Sequence, residues 1–99
     1  MKTTECTHSQ LKMIGDFWTL AIIQALEKEP KRFRQLEREV LGINPATLTN
    51  RLKRLEKEVL IRRDTETVDK LSVVYSLTKK GIGILPILTE IRLFAKKFL

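Results

Sequence analysis

Few side chains in this chain could do chemistry on a substrate. One cysteine, Cys6, and one histidine, His8, stand close together near the start. Two ligands at that spacing cannot close a tetrahedral metal shell, and a lone cysteine makes neither an internal disulfide nor a multi-cysteine zinc site. There is no glycine-rich phosphate loop, no His-Glu-x-x-His helix and no nucleophile motif, so no enzyme, metal or cofactor is expected. Hydrogen-bonding and cationic groups instead crowd into one stretch, N-P-A-T-L-T-N-R-L-K-R-L-E-K-E-V-L, from Asn44 to Leu60. Asn44, Thr47, Thr49 and Asn50 offer amides and hydroxyls suited to base edges. Arg51, Lys53 and Arg54 offer cations suited to phosphates, and Ala46 is small enough to let a backbone approach a groove. That is the chemistry of binding a polyanion.

A helix is needed to aim these groups. Asn44 is a preferred N-cap, and Pro45 suits a first helical position because it has no N–H to leave unpaired. At about 100° per residue, Leu48, Leu52, Leu55 and Val59 form one apolar stripe. Ala46, Asn50, Lys53 and Lys57 point the opposite way, with Thr47, Thr49, Arg51 and Arg54 on the shoulders. Residues 45–59 therefore read as a recognition helix, although a solvated basic face would show the same pattern. The neighbours decide between these. Phe33, Leu36 and Val40 space a shorter helix, with Arg32, Arg34 and Arg38 outside, and the turn L-G-I-N joins it to the next. Residues 32–59 thus read as a helix-turn-helix. Beyond Leu60 the period becomes alternating: I-R-R-D-T-E-T and L-S-V-V-Y-S-L, separated by V-D-K, predict a two-stranded hairpin wing over 60–77. Val73, Tyr75 and Leu77 face the helices, while Arg62, Arg63 and Lys70 lie on or near the ribbon as phosphate contacts, together with Arg32. The combination predicts a mostly α (α+β) winged helix-turn-helix.

Residues 1–8 read as a mobile arm. Ser9 then caps a short helix that ends at Gly15, and Asp16 caps a second, F-W-T-L-A-I-I-Q-A-L-E-K, closed by Glu29-Pro30. Trp18, Ile22, Ala25 and Leu26 form its stripe, widened by Phe17, Leu20 and Ile23, so it should be buried on most sides. Residues 78–99 read as a C-terminal dimerisation helix capped by Thr78, weakened by Gly81 and Gly83, and kinked or split at Pro86. Its stripe of Leu88, Ile91, Phe94, Ala95 and Phe98 is wider than a small core requires. Leu88, Ile91, Phe94 and Phe98, with Leu11, are accordingly expected to form a homodimer interface.

The whole chain, 99 residues with 42% hydrophobic content, allows one domain over 1–99. Its net charge of +7 is concentrated, with +4 carried by residues 44–63. Double-stranded DNA is the partner this predicts. A membrane surface fits less well, because no segment joins a broad exposed apolar face to its basic one. With no long apolar run and no signal pattern, the expected location is the cytoplasm. The competing class is a winged-helix module that binds protein or RNA without regulating transcription. Small, groove-approachable residues at the start of helix 45–59 argue against it.

Five blocks run through the chain in order: Cys6, I-G-D-F-W-T-L at 14–20, K-R-F-R-Q-L at 31–36, G-I-N-P-A-T-L-T-N-R-L-K-R-L-E at 42–56 and V-Y-S-L-T-K-K-G at 74–81. In these blocks the chain resembles the HxlR family of winged-helix transcription regulators, relatives of the MarR group. The resemblance implies a homodimer formed by the terminal helices, helix 45–59 in the major groove and the hairpin beside the minor groove, on an inverted-repeat operator. Some members sense oxidants or electrophiles through an arm cysteine, which makes Cys6 a candidate redox sensor. A small-molecule effector is compatible with the family and is not identified by these residues. Two departures stand out: Phe17 replaces a basic residue before the tryptophan, and the wing D-T-E-T-V-D-K lacks proline and carries Asp64, Glu66 and Asp69.

Overall fold

A computed structural model describes the backbone of residues 3–65 and 73–99, with side chains from His8 onward. The elements, in order, are α1 (Thr3–Ile14), α2 (Phe17–Ala25), β1 (Lys31–Arg32), α3 (Phe33–Glu39), α4 (Pro45–Lys57), β2 (Ile61–Thr65), β3 (Val73–Leu77), α5 (Lys79–Ile82) and α6 (Leu85–Phe98). The first helix starts earlier than expected. It runs from Thr3, so residues 3–8 are helical, and Ser9 lies within the helix instead of capping it.

Several local signals act as the sequence suggests. The Asn44 carboxamide oxygen accepts from the Thr47 amide at 2.8 Å, and Pro45 opens α4. Gly42, in the turn before it, has φ +86°, a conformation that costs glycine little because it has no Cβ. The helix α2 ends at Ala25, before the Glu29-Pro30 pair. The last segment divides into α5 and α6 at Gly83 and Ile84, so Pro86 does not mark the break. It occupies the first turn of α6, where its missing N–H leaves no bond unmade.

Leu48, Leu52 and Leu55 are the buried stripe of α4. They join Ile22, Ile23 and Leu26 of the α2 segment, Leu36 and Val40 around α3, Leu60 and Ile61, and Ile84 and Leu88 in a single core. Burying each such side chain contributes about 1.5–3 kcal/mol, which fixes how α4 sits on its neighbours and hence which way its opposite face points. The wing is antiparallel, with Ile61 opposite Leu77 and Thr65 opposite Val73. A third strand joins the hairpin: β1 pairs with β3, Lys31 opposite Tyr75 and Arg32 opposite Val74, giving the order β1-β3-β2. The base of the wing is thereby tied to the start of the helix-turn-helix.

The junction from α4 to β2 is held tightly. The Leu60 amide donates to the Leu55 carbonyl at 2.9 Å and the Val59 amide to that of Glu56 at 3.0 Å, the paired bonds of a Schellman ending. That ending puts Val59 at φ +59°, where a β-branched residue is sterically strained. The start of α5 locks it in place. Thr78 Oγ1 donates to the Val59 carbonyl at 2.6 Å and Lys80 Nζ to that of Glu58 at 2.7 Å. Gly81 packs so closely on the Leu60 carbonyl that a Cβ would have no room.

Candidate nucleic-acid interface

Around its circumference α4 has three environments. The leucine stripe is buried, and opposite it Ala46, Thr49, Asn50, Lys53 and Lys57 are exposed. The flanking shoulder of Thr47, Arg51 and Arg54 is half-buried because it lies towards α2. On the other flank a shallow groove opens between α4 and the sheet, lined in part by Phe33, Thr49, Lys53, Arg63 and Tyr75. The fold thus brings Thr49 and Lys53 of the helix beside Arg63 of the wing.

The half-buried shoulder is organised by a residue that the sequence identifies only as a helix cap. Asp16 Oδ2 accepts from the Thr19 amide and from Thr19 Oγ1, both at 2.9 Å, which caps α2. The same carboxylate grips Arg51 with two bonds, Nε to Oδ2 at 2.8 Å and Nη2 to Oδ1 at 3.1 Å. The third arm of that guanidinium, Nη1, donates to Asn50 Oδ1 at 2.9 Å. Arg54 Nη2 donates to Thr19 Oγ1 at 3.1 Å and lies 3.8 Å from Asp16 Oδ2. Its Nε is buried with no hydrogen-bond partner among the described residues. The Arg51 and Asp16 side chains are only 23% and 20% exposed, so water screens this pair less than a surface ion pair. The Arg51 guanidinium, followed by the Thr19 amide and hydroxyl, outweighs burial and holds the Asp16 carboxyl far below its ordinary value. Asp16 raises Arg51 in turn.

The positively charged candidates consequently differ in availability. Arg51 spends its guanidinium on Asp16 and Asn50, and Arg54 spends one arm on Thr19, so both brace α4 against α2. Asn44 spends its oxygen on the cap. Lys53 and Arg63 are exposed, and Arg62 is exposed with a 3.3 Å contact from Nη2 to Asp64 Oδ2 beside it on the strand. Arg32 is exposed at the head of α3, where its amide donates to Gln35 Oε1 at 2.8 Å. Lys70 falls outside the described residues, as do the side chain of Cys6 and the wing residues Glu66 and Asp69. Tyr75 and Trp18 pack against the core, whereas Phe17 is largely exposed, with its ring set edgewise to Trp18.

The proposed dimer residues also divide. Leu88 is 6% exposed and belongs to the protomer's own core, where α6 packs on α2, so it is not available to a second copy. Leu11, Ile91, Phe94 and Phe98 are exposed, and the rings of Phe94 and Phe98 lie 5.0 Å apart on one flank of α6.

A helix-turn-helix whose second helix has one buried and one polar exposed side, followed by an antiparallel hairpin, defines the winged-helix class. The chain belongs to the HxlR-like helix-turn-helix family, whose pattern it matches over residues 13–99. It is 40% identical over 82 residues to the HTH-type transcriptional regulator BH0655 of Halalkalibacterium halodurans, covering 82% of this chain and 73% of that one. It is 30% identical over 100 residues to the HTH-type transcriptional regulator YodB of Bacillus subtilis, covering 99% and 89%. The reduced form of YodB superposes with a TM-score of 0.80 over 92% of this chain and 89% of that one, and YodB has also been solved quinone-bound and diamide-treated. A crystal structure assigned to a MarR-family regulator of Porphyromonas gingivalis W83 superposes with a TM-score of 0.86 at 31% identity, over 100% and 98%. These relatives are transcriptional regulators and not enzymes, and the protein is a regulator of the same helix-turn-helix type. Among the described residues no helix is long and apolar enough to cross a membrane.

Proposed function

We propose that this regulator acts in the cytoplasm as a homodimer on double-stranded DNA, with α4 in the major groove of each half-site and the wing beside the minor groove. The observation that carries this reading is the exposed row of Ala46, Thr49, Asn50 and Lys53 on a helix whose other side is locked into the core, next to the wing arginine Arg63. Small and hydrogen-bonding side chains in that row suit base edges, and the cations around it suit phosphates. The exposed face of Ile91, Phe94 and Phe98 on α6, with Leu11, supports pairing with a second copy. The operator is then an inverted repeat, with half-sites about one helical turn apart, roughly 34 Å, or a multiple of it.

Binding to a randomised duplex library at two salt concentrations tests this. Asn50→Ala and Thr47→Ala should flatten sequence preference, costing about 1–3 kcal/mol on the preferred site for each base no longer read and much less on random DNA. Arg62→Ala should weaken all sequences alike and reduce the salt slope by about one unit per half-site. A chain that binds no duplex, or whose preference survives both helix substitutions, refutes the reading. We propose in addition that Cys6 makes the response redox-dependent. The support is family membership together with the reduced, quinone-bound and diamide-treated states of the relative YodB.

A further inference from the structure

We infer that Thr78 and Lys80 are positioning residues for the wing: by holding the two exposed peptide groups at the bend between α4 and β2, they set the angle at which Arg63 meets DNA. The inference rests on the wing lying against the DNA backbone.

The bend consists of Glu58, Val59 and Leu60, whose backbone groups divide in two directions. All three amides donate back into α4, to the carbonyls of Arg54 at 3.1 Å, Glu56 at 3.0 Å and Leu55 at 2.9 Å. All three carbonyls accept from residues that follow the wing. Glu58 accepts from Lys80 Nζ at 2.7 Å, Val59 from Thr78 Oγ1 at 2.6 Å, and Leu60 from the Thr78 amide at 3.1 Å. The hairpin leaves the bend along β2 and returns to it at the end of β3, so its root is closed on the helix from which it springs.

These contacts differ in what they fix. The bond between Leu60 and Thr78 continues the ladder beyond Ile61 and Leu77, and so joins the two strands to each other. Leu60 and Ile61 are buried and seat the root in the core, and β1 steadies the β3 edge. Glu58 and Val59 are exposed, so packing does little to hold their peptide groups. Val59 also sits at φ +59°, which a valine keeps only under restraint. The Thr78 hydroxyl supplies a directional one, because its oxygen accepts from the Gly81 amide at 3.0 Å while its hydrogen goes to Val59. Lys80 places its ammonium at the negative end of α4, where a cation is favoured. It is thereby a fastening of the helix end and not a contact for phosphate.

The angle matters because β2 carries Arg63 beside Thr49 and Lys53 of α4, across the shallow groove. At about 3.3 Å per residue, Arg63 lies about 10 Å beyond Leu60 along the strand. A tilt of about 20° at the root therefore moves it about 3 Å, the length of a hydrogen bond to a phosphate.

The test is the salt dependence of affinity for a duplex selected from a randomised library, since each phosphate contact contributes about one unit of slope per half-site. Thr78→Val removes the hydroxyl without changing charge, so it has no direct means of altering that slope. It should nevertheless lower the slope by about one unit per half-site, whereas Thr78→Ser, which keeps the hydroxyl, should match the native chain. Arg63→Ala should lower the slope equally in the native chain and no further in Thr78→Val. Lys80→Met removes a charge, so its combination with Arg63→Ala decides: the pair should lose no more than either alone, whereas a direct phosphate contact by Lys80 would make the losses add. Circular dichroism checks folding, and if Thr78→Val does not fold the Lys80→Met pair decides alone. A native slope in folded Thr78→Val, with affinity lowered alike at every salt concentration, indicates a merely structural role and overturns the inference. Additive losses with Arg63→Ala in either folded variant overturn it too. If Arg63→Ala leaves the native slope unchanged, this inference falls and DNA reading by α4 stands. If the native chain binds no duplex, both fall together.

Discussion

Removing the Asp16 carboxylate should be the most informative single change to this fold, because one side chain caps α2 and also braces α4. Asp16→Ala removes the cap on the Thr19 amide, worth about 1 kcal/mol. It also removes two charge-assisted bonds from Arg51, and a hydrogen bond to a charged group contributes about 1.5–3 kcal/mol. Because roughly a fifth of each side chain meets solvent, the lower end applies, and the total loss should be about 2–4 kcal/mol. Asp16→Asn retains a capping oxygen and should lose about 1 kcal/mol less. Urea unfolding at a fixed protomer concentration measures both, and a double-mutant cycle with Arg51→Ala should return a coupling of about 1–2 kcal/mol. Acid provides an independent check. The carboxyl is held far below its ordinary value of 3.8 in the folded chain and titrates normally in the unfolded one. The unfolded state therefore takes up a proton first, and the stabilisation is complete above about pH 5 and declines as pH falls below the ordinary value. The gap between native and Asp16→Asn should be flat from about pH 5 to 8 and narrow below about 4. Costs for Asp16→Ala and Arg51→Ala that add to within about 0.3 kcal/mol, or a gap that does not narrow in acid, would refute the brace.

Val59→Gly should raise stability by about 0.5–1 kcal/mol, since relief of a left-handed β-branched residue, about 1–2 kcal/mol, exceeds the added chain entropy of glycine; an equal or lower urea midpoint contradicts this. Val59 is 59% exposed, so little packing is lost with it. Phe94→Asp combined with Phe98→Asp should give a folded monomer by sedimentation at micromolar concentration and lower operator affinity, whereas a native chain that is itself monomeric there removes the dimer proposal. Mild diamide should change operator affinity in the native chain and not in Cys6→Ser, and equal responses would reject the redox proposal.

What the sequence determines by itself is what near neighbours in the chain control. Asn44 and Thr47 lie one helical turn apart, so the cap that starts α4 is readable from spacing. The leucine stripe is equally local, because it follows from the repeat of its own element. The positive φ at Gly42 likewise marks a turn whose residue type announces it. Only the tertiary structure decides which of the polar and apolar groups remain available. Arg51 and Arg54 look like two more outward cations on a basic face, yet their partners Asp16 and Thr19 lie 35 positions earlier. Nothing in the periodicity of α4 encodes that meeting. Two-residue β1 is invisible without β3 to pair with, and Leu88 turns from interface to core only because α2 lies under α6. A helix fixes the direction of each side chain relative to its own axis, but its neighbours fix what stands there. For this regulator that difference separates the exposed side chains of α4 from those that hold the helix in place.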